Sequence, residues 1–141
     1  LKETHPDLRL LIYDGLRPRS IQWILWNTLS DVPEKERTNF VADPRTGSIH
    51  NFGAAVDLTV THKNGTPLDM GTHYDYFGDL AFPRLEDSLI VVGDLTIEQV
   101  NNRLILRDAM TQAGFSPITT EWWHFDSFPY KETKRKFSII E

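Results

Sequence analysis

Between Ala55 and Thr61 the chain alternates cleanly, with Val56, Leu58 and Val60 on one side and Asp57, Thr59 and Thr61 on the other. A period of two is the signature of a half-buried strand with one apolar and one polar face. Asn64-Gly65 follows, the strongest short hairpin signal, and predicts a turn that brings the chain back toward Leu68. Few local patterns restrict a fold as much as a strand whose polar face is free for work and whose far end must reverse direction.

The remaining segments fit around that strand. Residues 8–13 alternate loosely and read as another strand, ended by Asp14-Gly15. Pro18 stands near a helix start, and Ile21, Ile24, Leu25 and Leu29 recur at helical spacing. Residues 31–48 are polar and carry Pro33, Pro44 and Gly47, so they read mostly as loop; the stretch containing Gly71, Gly78, Pro83 and Gly93 reads as irregular. Thr96-Ile97-Glu98-Gln99 is a capping box; Ile97, Val100, Leu104 and Met110 mark a helix face after it, and Gly114 is a natural stop. Residues 119–128 are rich in aromatic and β-branched types and predict a strand. Strands and helices are segregated rather than regularly alternating, which predicts an α+β fold with a central antiparallel sheet flanked by helices.

Composition narrows the function. With 141 residues, the chain is expected to be a single domain, and it contains no cysteine. Disulfides, thiol nucleophiles, iron–sulfur clusters and cysteine-based zinc sites are therefore excluded, and any metal site must be built from His, Asp and Glu. Fifteen Lys and Arg against twenty Asp and Glu give a net charge of −5, with no basic stripe for nucleic acid. The longest apolar runs, residues 10–13 and 89–92, fall far short of a membrane span.

Two clusters bear chemistry. In Ser48-Ile49-His50-Asn51-Phe52-Gly53-Ala54-Ala55-Val56-Asp57, His50 lies in a loop entering the strand and Asp57 on the strand's polar face, with small residues between them. In Glu121-Trp122-Trp123-His124, a carboxylate and an imidazole sit among bulky aromatics, where burial is costly without a partner. Strict strand alternation sends Glu121 and His124 to opposite faces, so a bulge or an entry twist is needed if both serve one site. Together His50, Asp57 and His124 form a ligand set that zinc accepts, with a fourth position for water; the same donors suit other divalent ions. Glu121 then has the role of general base, and Arg17 is a candidate cation for the oxyanion, against the plainer reading of a salt bridge to Asp14. His5, His62 and His73 lack such company and are expected at the surface. Trp23, Trp26, Trp122 and Trp123 are expected in the core or a pocket wall, and the charged run 131–136 on a solvated face.

Four segments in order carry a resemblance: Asp14-Gly-Leu-Arg17-Pro, Ser48-x-His50-x-x-Gly53-x-Ala55-x-Asp57-Leu-Thr, Asp69-Met-Gly71-Thr-x-Tyr-Asp75-x-Phe77 and Glu121-Trp-Trp-His124-Phe. Over residues 8–128 the chain resembles the D-alanyl-D-alanine dipeptidases, bacterial zinc peptidases of the vancomycin-resistance type related to D,D-carboxypeptidases and the hedgehog signalling domain. The resemblance implies one zinc held by His50, Asp57 and His124, Glu121 as base and Arg17 as the transition-state cation. It further implies that Asp75 holds the ammonium end of a small dipeptide, that Ser48 lies near its carboxylate, and that Asp14 orients Arg17 or a ligand histidine. Family members carry more chain before the first strand, so residues 1–141 are expected to be a zinc peptidase domain without its N-terminal segment. Periplasm and cytoplasm both suit such a protein, and the oligomeric state is left open. Two alternatives share the metal site: a D,D-carboxypeptidase or peptidoglycan endopeptidase with an open cleft, and a hedgehog-like recognition module without catalysis.

Overall fold

The structure, a computed structural model, describes residues 1–141. Its strands run Leu8–Asp14 (β1), Ala55–His62 (β2), Ser116–Pro117 (β3) and His124–Asp126 (β4), and form one antiparallel sheet in the order β1-β2-β4-β3. Helices cover Arg19–Thr28 (α1), Glu34–Arg37 (α2), Glu86–Val92 (α3), Ile97–Gln112 (α4) and Tyr130–Lys136 (α5). This is the α+β architecture expected from segregated elements. The chain divides into two compact units, Leu1–Tyr13 with Asp57–Phe125 and Asp14–Val56 with Asp126–Glu141.

The first unit contains most of the sheet together with α3 and α4. The Asn64-Gly65 turn forms as predicted: Gly65 adopts φ +87°, the His62 N–H donates to the Thr66 carbonyl at 2.8 Å, and the Leu68 N–H donates to the Val60 carbonyl at 2.9 Å. The expected half-buried character of β2 is not observed. Both faces are covered, and Asp57, Thr59 and Thr61 are buried alongside Leu58 and Val60. Nor are residues 71–93 irregular throughout, because α3 lies within them. Acidic Glu86 and Asp87 occupy its first turn, favourable against the helix dipole, and Gly93 ends it in the left-handed region at φ +84°. Its Leu89 packs with Leu95 and Val100 in a buried cluster joined by Leu80, Leu85 and Ile90. The Thr96 capping box is present, with the Thr96 hydroxyl accepting from the Gln99 N–H and the Gln99 amide accepting from the Thr96 N–H. The face that α4 buries comprises Val100, Arg103, Leu106 and Met110, whereas Ile97 and Leu104 are exposed.

In the second unit, α1 starts after Pro18 as expected but turns a different face inward. Gln22 and Trp26 are buried while Ile21, Trp23 and Ile24 are exposed, so Trp23 is not a core residue. Burial of Gln22 is possible because both ends of its amide are bonded: Oε1 accepts from Arg17 Nη1 at 3.0 Å and Nε2 donates to the Ala42 carbonyl at 2.8 Å. The Arg37 and Arg45 guanidinium groups lie 5.7 and 5.8 Å from the Trp26 ring. The charged run near the C-terminus forms α5, exposed apart from half-buried Glu132 and buried Thr133.

Candidate metal centre

His50 sits on a 3-10 turn, Ile49–Phe52, that is stabilised by its own sequence. The Ser48 N–H donates to Asn51 Oδ1 at 2.7 Å, and Gly53 closes the turn at φ +65° with its N–H on the His50 carbonyl. Left-handed backbone of this kind favours glycine, which accounts for Gly53. The His50 ring is held by a carbonyl: Nδ1 lies 2.8 Å from the Gly15 oxygen. A carbonyl only accepts, so Nδ1 carries the proton and Nε2 keeps its lone pair for a ligand.

Arg17 lies in the turn after β1. Its Nε donates to Asp14 Oδ2 at 2.7 Å, its Nη2 lies 2.5 Å from the same oxygen, and its carbonyl accepts from Asn51 Nδ2 at 2.8 Å. The ion pair with Asp14 thus exists and orients the guanidinium, and the His50 ring is held by the Gly15 carbonyl. Asn51 is fully buried and ties this turn to the one bearing His50. Composition alone does not flag it; its place beside a motif histidine is the only sequence clue.

Asp57 occupies β2, and its Oδ1 lies 2.9 Å from His124 Nδ1. The Tyr74 hydroxyl donates to the other oxygen, Oδ2, at 3.3 Å. The Tyr74 ring is stacked on Tyr13 with centroids 4.6 Å apart and meets Trp123 edge-on at 5.7 Å. Neither Tyr74 nor its contact with Asp57 follows from the local pattern, because the two residues are brought together only by the path of the chain after the hairpin. Asp75, the next residue, is the one non-glycine residue with a left-handed backbone, at φ 57°. A cavity of about 600 Å³ opens beside Tyr74, lined in part by Tyr13, Thr59, Thr72 and Trp122.

Residues 119–123 do not form the predicted strand, which shortens to β4. That difference removes the conflict between Glu121 and His124. Glu121 precedes the strand, outside its alternation, and its Oε2 lies 3.8 Å from His124 Nδ1. Trp122 and Trp123 are buried, and the Trp122 indole N–H donates to Thr72 Oγ1 at 2.7 Å. The Leu58 N–H donates to the Trp123 carbonyl, anchoring the segment to β2. The Glu121 side chain keeps 37% of its surface exposed, against 12% for His124.

His50, Asp57 and His124 each offer one ligand atom, and these atoms all lie within 4.8 Å of one another. Two imidazoles and a carboxylate, with one imidazole tautomer set by a carbonyl, are a donor set suited to a divalent metal ion. His5, His62 and His73 take no part in that group, and His62 and His73 are exposed.

The family model for D-Ala-D-Ala dipeptidases, peptidase family M15, matches residues 4–139. The chain belongs to that family. A D-alanyl-D-alanine dipeptidase of Escherichia coli strain K12 is 36% identical over 119 residues, covering 84% of this chain and 55% of the relative. Relatives of the same description from Enterococcus faecalis and Enterococcus faecium are 28% and 30% identical over 92% and 82% of this chain, or 68% and 60% of their own lengths. The chain therefore spans between about half and two thirds of the curated relatives it matches. No helix is long and apolar enough to cross a membrane.

Proposed function

We propose that this dipeptidase-family protein is a zinc-dependent hydrolase of D-Ala-D-Ala. The observation that carries the reading is the convergence of the His50, Asp57 and His124 ligand atoms within 4.8 Å in a chain of this family. Held by His50, Asp57 and His124, a zinc ion would supply Lewis acidity and lower the pKa of water toward neutrality. Glu121 takes the proton released as water attacks the substrate carbonyl; its partial exposure and its position 3.8 Å from His124 suit a base that must meet both water and substrate. Arg17, held in one orientation by Asp14 and Gln22, stabilises the charge that develops on the carbonyl oxygen. Asp75 pairs with the free ammonium of the dipeptide and Ser48 lies near its carboxylate, a pairing that favours a free amino terminus over an acylated one.

The test combines elemental analysis with release of D-Ala before and after chelation. About one zinc per chain and chelator-sensitive turnover are expected; a metal-free protein with full activity overturns the reading. Glu121→Ala is expected to lower kcat by about 10²–10⁴-fold while bound zinc stays near the wild-type level. Unchanged turnover in that variant removes Glu121 as the base. Absence of turnover in a wild-type protein that binds zinc favours the non-catalytic recognition module. Preference for N-acetyl-D-Ala-D-Ala over the free dipeptide instead favours a D,D-carboxypeptidase.

A further inference from the structure

We propose that Gln99, Asn102 and Arg103 of α4 are positioning residues for substrate selection, holding the loop from Asp69 to Leu80 so that Asp75 receives a free ammonium group. The proposal rests on the dipeptidase reading above. These three residues are spaced i, i+3 and i+4, hence share one face of the helix. Arg103 is buried, and its guanidinium bridges both ends of the loop: Nε donates to the Met70 carbonyl at 2.7 Å and Nη2 to the Leu80 carbonyl at 2.8 Å. Its Nη1 lies 3.4 Å from Glu86 Oε1, and Glu86 is also held by Arg107 at 2.7 and 2.9 Å. A buried guanidinium is expensive unless its donors are matched, and an apolar residue would fill the same helix position more cheaply. Two of its bonds go to carbonyls that bracket the loop.

The other two residues fasten the near end. Gln99 Nε2 donates to Asp69 Oδ2 at 2.9 Å, and Asn102 Nδ2 donates to the Asp69 carbonyl at 2.8 Å. Asp69 Oδ1 accepts from the Gly71 N–H at 2.8 Å. The loop lies so close to Leu95 and Gln99 that a Cβ at Gly71 would stand 2.4 Å from Leu95 Cδ2 and 3.3 Å from the Gln99 amide. Between the fastened ends are Tyr74, bonded to Asp57, and Asp75 in its left-handed conformation. Such a conformation persists at a non-glycine residue only where the surroundings over-determine it. The clamp supplies that constraint from a helix some thirty residues further along the chain.

Gln99→Glu tests this with little risk to folding, because a glutamate still serves the capping box with Thr96 while its carboxylate repels Asp69. The expected result is a rise of about fivefold in KM for D-Ala-D-Ala, kcat within about twofold of wild type, and unchanged zinc content. The ratio of kcat/KM for D-Ala-D-Ala to that for N-acetyl-D-Ala-D-Ala is expected to fall by about the same factor. Adding Asp69→Asn to Gln99→Glu restores a donor–acceptor pair with its polarity reversed and is expected to recover most of that ratio. A lowered melting temperature with an unchanged ratio, or no recovery in the double variant, overturns the positioning role while leaving the dipeptidase reading intact. A wild type that turns over neither substrate overturns the dipeptidase reading, and this inference with it.

Discussion

The turn that bears His50 and the loop that bears Asp75 are supported in opposite ways. The turn at Ile49–Phe52 draws its internal bonds and left-handed cap from its own sequence, Ser48, Asn51 and Gly53, all within six residues, and is tied to the turn after β1 through Gly15 and Arg17. The loop after the hairpin is fastened at both ends from outside, by Gln99, Asn102 and Arg103, which lie 23 to 33 positions from the loop groups they bind. Local support makes a position rigid whatever surrounds it. Remote support makes a position only as rigid as the packing between two elements.

Their two glycines offer the sharpest test of that difference. Gly71→Ala combines a left-handed backbone with a collision against buried Leu95, and is expected to destabilise the protein by about 3 kcal/mol, lowering Tm by on the order of 10 °C. Asn51→Ala removes both side-chain bonds of a buried amide, leaving the Ser48 N–H and the Arg17 carbonyl without them, at an expected cost of about 2 kcal/mol in a thermal melt. Gly53→Ala should be milder, about 1 kcal/mol, because a Cβ there meets only Leu16 Cδ1 at 3.5 Å and backbone strain is the main penalty. Should Gly53→Ala prove as damaging as Gly71→Ala, the distinction between a self-supported turn and a clamped loop fails.

The smallest effect concerns pH. The Gln99 side chain, and after it the Gly71 N–H, hold the Asp69 carboxyl below its ordinary value of 3.8. A carboxyl with a depressed folded-state pKa adds stability that is present above the unfolded value and lost as pH falls through the folded one. The stability difference between wild type and Asp69→Asn is therefore expected to stay constant above about pH 5 and to shrink only below about pH 4. Measured by chemical denaturation, a difference that shrinks between pH 5 and 7 would contradict the clamp as drawn.

The contrast also explains what could be read from the sequence. The hairpin at Asn64-Gly65, the capping box at Thr96 and the α+β class were legible, because each depends on neighbours within a few positions. That His50, Asp57 and His124 form a group able to hold a metal was legible too, because each lies in a compact motif. The inward faces of α1 and α4 were not, since Gln22 and Arg103 are buried through partners as distant as Ala42 and Met70, while Ile24 and Leu104 are left outside. Helix α3 was hidden by its β-branched run, Ile90-Val91-Val92, of which Val91 and Val92 face solvent and leave Leu89 to pack. The overlong strand at 119–128 followed from aromatic content, which in Trp122 and Trp123 serves burial rather than sheet pairing. Tyr74 escaped notice because a phenol reveals its partner only in three dimensions.

The paired indoles have an optical consequence. Trp122 and Trp123 meet at 89° with centroids 5.3 Å apart, and they fill the two positions between Glu121 and His124. Aromatic side chains fixed in an asymmetric packing give near-ultraviolet dichroism, which vanishes once side-chain packing loosens even if helices persist. The segment between the proposed base and a proposed ligand thus carries its own spectroscopic gauge. A chelator titration followed at these wavelengths reads whether the indoles stay ordered as metal leaves, without any substrate present.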